Sequence, residues 1–125
     1  MGVCDPHIYI FGDRMWVYTS HDDSFENQSF SMHDWQIWSS ADCVEWTLES
    51  VIHPEDTFMG ASGCCWAVDC VERNGKYYYY FSNGNRQTGV LVGDTPAGPF
   101  RDVLGKPLLD GTLMTTREYD PSFFF

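Results

Sequence analysis

The chain has 125 residues, 43% hydrophobic and 17% aromatic, which suits one folded domain and excludes an intrinsically disordered polymer. Its formal net charge is −11 with only seven Lys and Arg, so it lacks the basic footprint that nucleic acids or anionic membrane surfaces require, and neutral ligands remain. No run nears the ~18 apolar residues of a membrane span and no basic segment leads into an apolar one near the start, so a cytoplasmic location is expected.

Helical periodicity is weak, and short strands separated by turns dominate. Residues 7–11 read as a strand, Gly12-Asp13 as a tight turn and residues 15–19 as the partner strand. Residues 35–40 and 46–51 form a second pair around Ala41-Asp42-Cys43. Residues 69–72 and 76–81 flank Arg73-Asn74-Gly75, where Asn-Gly is a strong hairpin signal because both positions accept positive φ. Residues 89–93 form a further strand, and Thr95-Pro96-Ala97-Gly98-Pro99 turns the chain into Phe100.

Cysteines are odd in number: Cys4, Cys43, Cys64, Cys65 and Cys70. Adjacent Cys64 and Cys65 do not readily pair with each other. All five read as reduced, buried, small side chains. A metal site at Cys64, Cys65 and Cys70 is the lesser alternative, because the paired CxxC spacing of zinc ribbons is absent.

The two halves resemble each other. "WSSADCVEW" (38–46) and "VGDTPAGPF" (92–100) are both nine residues long, each a strand end, a polar turn and an aromatic that restarts a strand. Asp5 begins one hairpin and Asp69 another. This gives two four-stranded units, about residues 5–52 and 66–109, with the start of a third at about 119–125. Repeated four-stranded antiparallel units suggest propeller blades, and a small sandwich of two unrelated hairpin pairs is the plainer alternative. In a propeller the first strand of each blade lines the central channel, which would bring Asp5, Asp69 and Asp120 to one mouth.

The ordered set "DPHIYIFGDRMWVYTSHD", "HDWQIWSSADCVEW", "CWAVDCVERNGKYYYYFS", "TGVLVGDTPAGPFRD" with "GKPLL", and "YDPSFF" resembles glycoside hydrolase family 43. The resemblance implies an all-β fold, a partial five-bladed β-propeller of two blades plus the opening of a third. It makes the chain an N-terminal fragment of such an enzyme. It further implies inverting hydrolysis of arabinose- or xylose-containing glycans, of the arabinofuranosidase or xylosidase kind. By motif, Asp5 corresponds to the general base and Asp120 to the carboxylate that tunes and orients the acid. The acid itself, a later Glu, has no counterpart here, so the 125 residues alone are expected to be inactive. A non-catalytic carbohydrate-binding or interaction fragment is the alternative.

Inversion requires two carboxyls about 6.5–9.5 Å apart with room for a water, one ionised and one protonated. Like charges held close push one pKa upward, the service a third carboxylate can render. Asp before Pro also initiates turns by bonding nearby backbone. Trp66 could stack on a sugar face or pack in the core. His21 and Asp22 stand as substrate contacts by family resemblance, with a solvated loop as the competing role; His33-Asp34-Trp35 is similar. Trp16 and Trp35 are expected between blades. No cofactor or metal ligand is expected in this chain, and a structural calcium of a complete propeller would take its ligands elsewhere. The expected partner is carbohydrate, together with self-association through unpaired blade edges.

Overall fold

The computed structural model describes residues 2–26 and 29–124. It is all-β apart from one 3₁₀ turn, Pro54–Asp56. The first antiparallel sheet runs in chain order: β1 (Gly2–Phe11), β2 (Arg14–Asp22), β3 (Met32–Ser40) and β4 (Thr47–Ile52). The second is β5 (Cys65–Arg73), β6 (Lys76–Asn83) and β7 (Gln87–Gly93).

A fourth strand was expected beside β7. Residues 100–109 do lie there, but only through two isolated bridges, Val92 with Arg101 and Thr88 with Leu109. Side-chain bonding holds the segment instead of a continuous ladder. Asp102 accepts backbone N–H bonds from Phe58 (2.8 Å), Leu104 (3.0 Å) and Gly105 (2.7 Å), which curls the chain locally.

The Asn74-Gly75 turn has φ of 54° and 72°, the left-handed pair that joins β5 to β6 without splaying them. Gly89 has a different role: a Cβ there would collide with the rings of Phe81 and Phe58, so β7 passes close to that aromatic pair only as glycine.

Period-two alternation decides which face each strand buries. In the first sheet Tyr9, Trp16, Tyr18, Trp35 and Ile37 turn toward the second, where Val68, Cys70, Tyr79, Phe81 and Leu91 meet them. Trp35 is fully buried. Its ring lies 4.9 Å from that of Phe81 and its Nε1–H donates to the Trp66 carbonyl at 2.7 Å. Tyr18 spans further, donating its hydroxyl proton to the Pro96 carbonyl at 2.8 Å.

The opposite face of the first sheet is apolar too. Ile8 pairs with Val17, Val17 with Trp38 and Trp38 with Leu48, a row across all four strands. Ile8 is 58% exposed and its neighbour Ile10 72%.

The five cysteines are free. Cys65 and Cys70 are buried as expected, and burial pushes the Cys70 thiol up to about 12. Cys4 and Cys64 are half-buried; Cys43 departs from the expectation, lying exposed in the β3–β4 turn with φ of 65°. Among the described residues no group of three or more His, Cys, Asp or Glu is arranged to hold a metal ion.

Trp35→Ala should destabilise the domain by about 3–5 kcal/mol, the cost of emptying a large aromatic site. Urea denaturation followed by far-UV circular dichroism measures it.

Candidate functional site

Both Asp-Pro pairs adopt an unusual backbone. A residue before proline normally takes an extended conformation. Asp5 instead has φ of 48° and Asp120 φ of 54°, in the left-handed region that Asp tolerates better than most residues. At Asp5 the cause is visible in the strand register. Cys4 lies opposite Ser20 and His7 opposite Tyr18, so Asp5 and Pro6 share the span of one residue on β2. This is a β-bulge, which breaks the alternation and re-aims a side chain.

The second sheet carries a bulge at the matching place. Trp66 lies opposite Ser82 and Val68 opposite Phe81, leaving Ala67 as the extra residue. Superposing Ser20 on Ser82 and Tyr18 on Tyr80 matches Asp5 with Ala67, and His7 with Asp69. The repeat in the sequence pairs Asp5 with Asp69 instead. That pairing follows residue type, whereas the structural landmark is the bulge, and Asp69 sits two residues beyond it.

Serines anchor these turns. The Ser20 hydroxyl donates to the Cys4 carbonyl at 3.0 Å and reaches Asp5 Oδ2 at 3.5 Å. Ser82 Oγ accepts the Asp120 backbone N–H at 2.8 Å. Both serines are fully buried.

Asp5, Trp66 and Asp120 line one cavity of about 200 Å³, together with Phe30 and Met32. Trp66 is held there by edge-on contacts with Phe30, at 5.9 Å between ring centres, and with Tyr119, at 6.4 Å. Partial burial, and secondarily the Asp5 carboxylate, push the Asp120 carboxyl above its ordinary range. The two acids therefore feel each other across the cavity.

His21 and Asp22 lie outside the lining of this cavity. His21 Nδ1 sits 3.0 Å from Asp34 Oδ1, its cross-strand neighbour. Asp22 Oδ1 accepts backbone N–H bonds from Ser24 (2.9 Å) and Ser31 (3.4 Å), closing the β2–β3 connection. That connection delivers Phe30 to the cavity, and the start of β3 delivers Met32. The sequence reading names neither: Phe30 is an apolar residue in a connection, and Met32 lies before the 35–40 stretch read as a strand.

Asp69 does not line the cavity; it is fully buried between the sheets. Tyr9 donates its hydroxyl proton to Asp69 Oδ1 at 2.7 Å, and His7 Nδ1 lies 3.2 Å from the same oxygen. The backbone N–H of Cys70 donates to Oδ1 at 2.7 Å, and that of Phe123 to Oδ2 at 2.5 Å. Burial, and then this carboxylate, hold the Tyr9 phenol above its usual range.

The family model for glycosyl hydrolases family 43 matches residues 2–125. The chain belongs to this family. It is 35% identical to a xylosidase/arabinosidase of Thermoclostridium stercorarium, over 95% of this chain and 27% of the relative. It is 32% identical to an arabinoxylan arabinofuranohydrolase of Bacillus subtilis, over 84% of this chain and 24% of that protein. Among solved structures it matches the GH43_1 enzyme from Xanthomonas citri complexed with xylose, with a TM-score of 0.72 and 32% identity, over 84% of this chain and 32% of that one. An α-L-arabinofuranosidase from Clostridium thermocellum matches with a TM-score of 0.70 and 33% identity, over 86% of this chain and 36% of its own. The chain thus spans about a quarter to a third of the length of these relatives. Its neighbours are β-propeller enzymes, and its two sheets form part of a β-propeller.

Asp5→Asn should lower the titration midpoint of Asp120, because a neutral amide removes the negative charge that opposes its ionisation. The drop should be incomplete, since burial is the larger cause and remains. Carboxyl carbon NMR across an acid titration measures both.

Proposed function

We propose that this chain supplies the base side of an inverting glycosidase acting on arabinofuranosides or xylosides. In this role Asp5 activates the attacking water, Asp120 tunes and orients the acid, and Trp66 offers an apolar face to the sugar ring. The observation that carries the reading is the meeting of two Asp-Pro turns, remote in sequence, at one cavity walled by a tryptophan. Relatives named for xylosidase, arabinosidase and arabinoxylan arabinofuranohydrolase activity support the substrate class.

The division of labour follows from charge. A base must reach water, which suits Asp5 at an exposed bulge. A carboxylate beside it raises the proton affinity of a neighbouring acid by repulsion. The acid that protonates the leaving oxygen comes, on this reading, from a part of the family's sequence outside these 125 residues. The activity therefore belongs to a polypeptide of the relatives' length, and the 125 residues alone should turn over no pentoside.

The test is a panel of nitrophenyl pentosides and galactosides, assayed with a polypeptide of that length containing this chain. Arabinofuranoside or xyloside should be hydrolysed, with the inverted anomer appearing first by NMR. Asp5→Asn should lower kcat by about 10²–10⁴-fold, the usual worth of general base assistance, with the fold retained. Turnover comparable to the parent would remove Asp5 from the base role.

The 125-residue chain alone should self-associate. The row Ile8, Val17, Trp38 and Leu48 is apolar across all four strands, with Ile8 and Leu48 exposed and Val17 and Trp38 half-buried, a face suited to pack against another surface. Size-exclusion chromatography with light scattering should find species larger than a monomer, and Ile8→Lys with Ile10→Lys should reduce them.

A further inference from the structure

We propose that Asp69 is the positioning residue that fixes the placement of Asp5 relative to Asp120. This deepens the reading above and depends on it for its catalytic meaning. The structural basis is separate. One buried carboxylate is bonded to three stretches of chain at once. Its Oδ1 receives the Tyr9 hydroxyl and faces His7 Nδ1, both on β1 just past the Asp5 bulge. Its Oδ2 receives the Phe123 N–H, three residues past Asp120. Its own strand, β5, carries Trp66 three residues earlier. Asp5, Trp66 and Asp120, which line the cavity, are therefore each two or three residues from a segment tied to Asp69.

The chemistry favours a carboxylate for this task. Two oxygens can accept several donors at once, while an amide offers one acceptor oxygen and two N–H donors. In an Asp69→Asn variant the NH₂ group would oppose either the Phe123 N–H or the Oδ1 donors. Donors to a charged acceptor are also shorter and stronger than neutral ones. His7 occupies on β1 the register position that Asp69 occupies on β5, so the two sheets touch at equivalent places. A bulge precedes each residue, and the His7–Asp69 contact joins the two strands just beyond both bulges.

Asp5 is the one charged side chain facing Asp120 among the residues lining the cavity. The Asp120 titration midpoint is thus a ruler for the approach of the two acids. Carboxyl carbon NMR on the 125-residue chain would compare the parent with Asp5→Asn, Asp69→Asn and Tyr9→Phe. Asp69→Asn should reproduce most of the downward shift seen with Asp5→Asn, although Asp5 is still present. Tyr9→Phe, which removes one bond, should give a smaller shift in the same direction. An unchanged Asp120 midpoint in folded Asp69→Asn would overturn the proposal. If Asp69→Asn does not fold, an unchanged midpoint in Tyr9→Phe and in His7→Gln would overturn it equally.

In a polypeptide of the relatives' length, Tyr9→Phe and Asp69→Asn should lower kcat, by up to about 10²-fold for the latter, while KM stays within about twofold. Loss of stability with kcat intact would make Asp69 structural only. If Asp5→Asn proved fully active, the function reading would fall, while the NMR comparison would still decide whether Asp69 sets the spacing.

Discussion

A fully buried carboxylate without a lysine or arginine partner is costly unless hydrogen bonds replace its hydration. Asp69 meets that requirement by recruiting donors from both sheets and from the segment that follows Asp120. The requirement is mutual. The carboxylate needs those segments near it, and they are placed by needing to serve it. Aromatic packing around Trp35 lies at the core between the sheets, yet such packing is non-directional and tolerates small slides. The Asp69 bonds are directional, so they select one relative placement of the sheets from the several that packing alone would accept.

The cavity residues inherit their positions from this arrangement. Each Asp-Pro turn is held by a buried serine on the adjoining strand, and each has a left-handed aspartate. Such backbone is strained by roughly 1–3 kcal/mol per residue and persists where surrounding bonds over-determine it. Here Ser20 and Ser82 contribute to that determination. The result is two carboxyls sharing one small cavity, with the charge of one opposing the ionisation of the other.

Much of the fold was legible because alternation and turn chemistry are local signals. Asn74-Gly75 and Gly12-Asp13 mark their hairpins at the expected places, and seven strands follow the predicted order. The bulges were not legible. Nothing in "CDPH" or "WAVD" counts residues against a partner strand, so Asp69 was matched with Asp5 on side-chain type. The irregular bridging of residues 100–109 was hidden for a related reason, since Asp102 acts through backbone groups. Asp5, Trp66 and Asp120 come from motif order, which spacing alone does not supply, and they line one cavity. Phe30, in the β2–β3 connection, and Met32, at the start of β3, needed the folded chain. His21 and Asp22 follow from the family resemblance, and the structure gives them bonding partners at the end of the first sheet, outside the lining of this cavity.

The bulge at Asp5 and Pro6 also divides β1 into two stretches out of phase with one another. Residues 7–11 answer to the packed interior, where alternation is enforced by the opposing sheet. Residues 2–4 pair with residues 20–22 of β2, and Cys4 still packs against the core. Both stretches stay laddered to β2, with the shift confined to the span opposite Thr19. The kinked pair thereby lets Cys4 and His7, an odd number of positions apart, face the same side of one strand, with Asp5 released from the alternation between them.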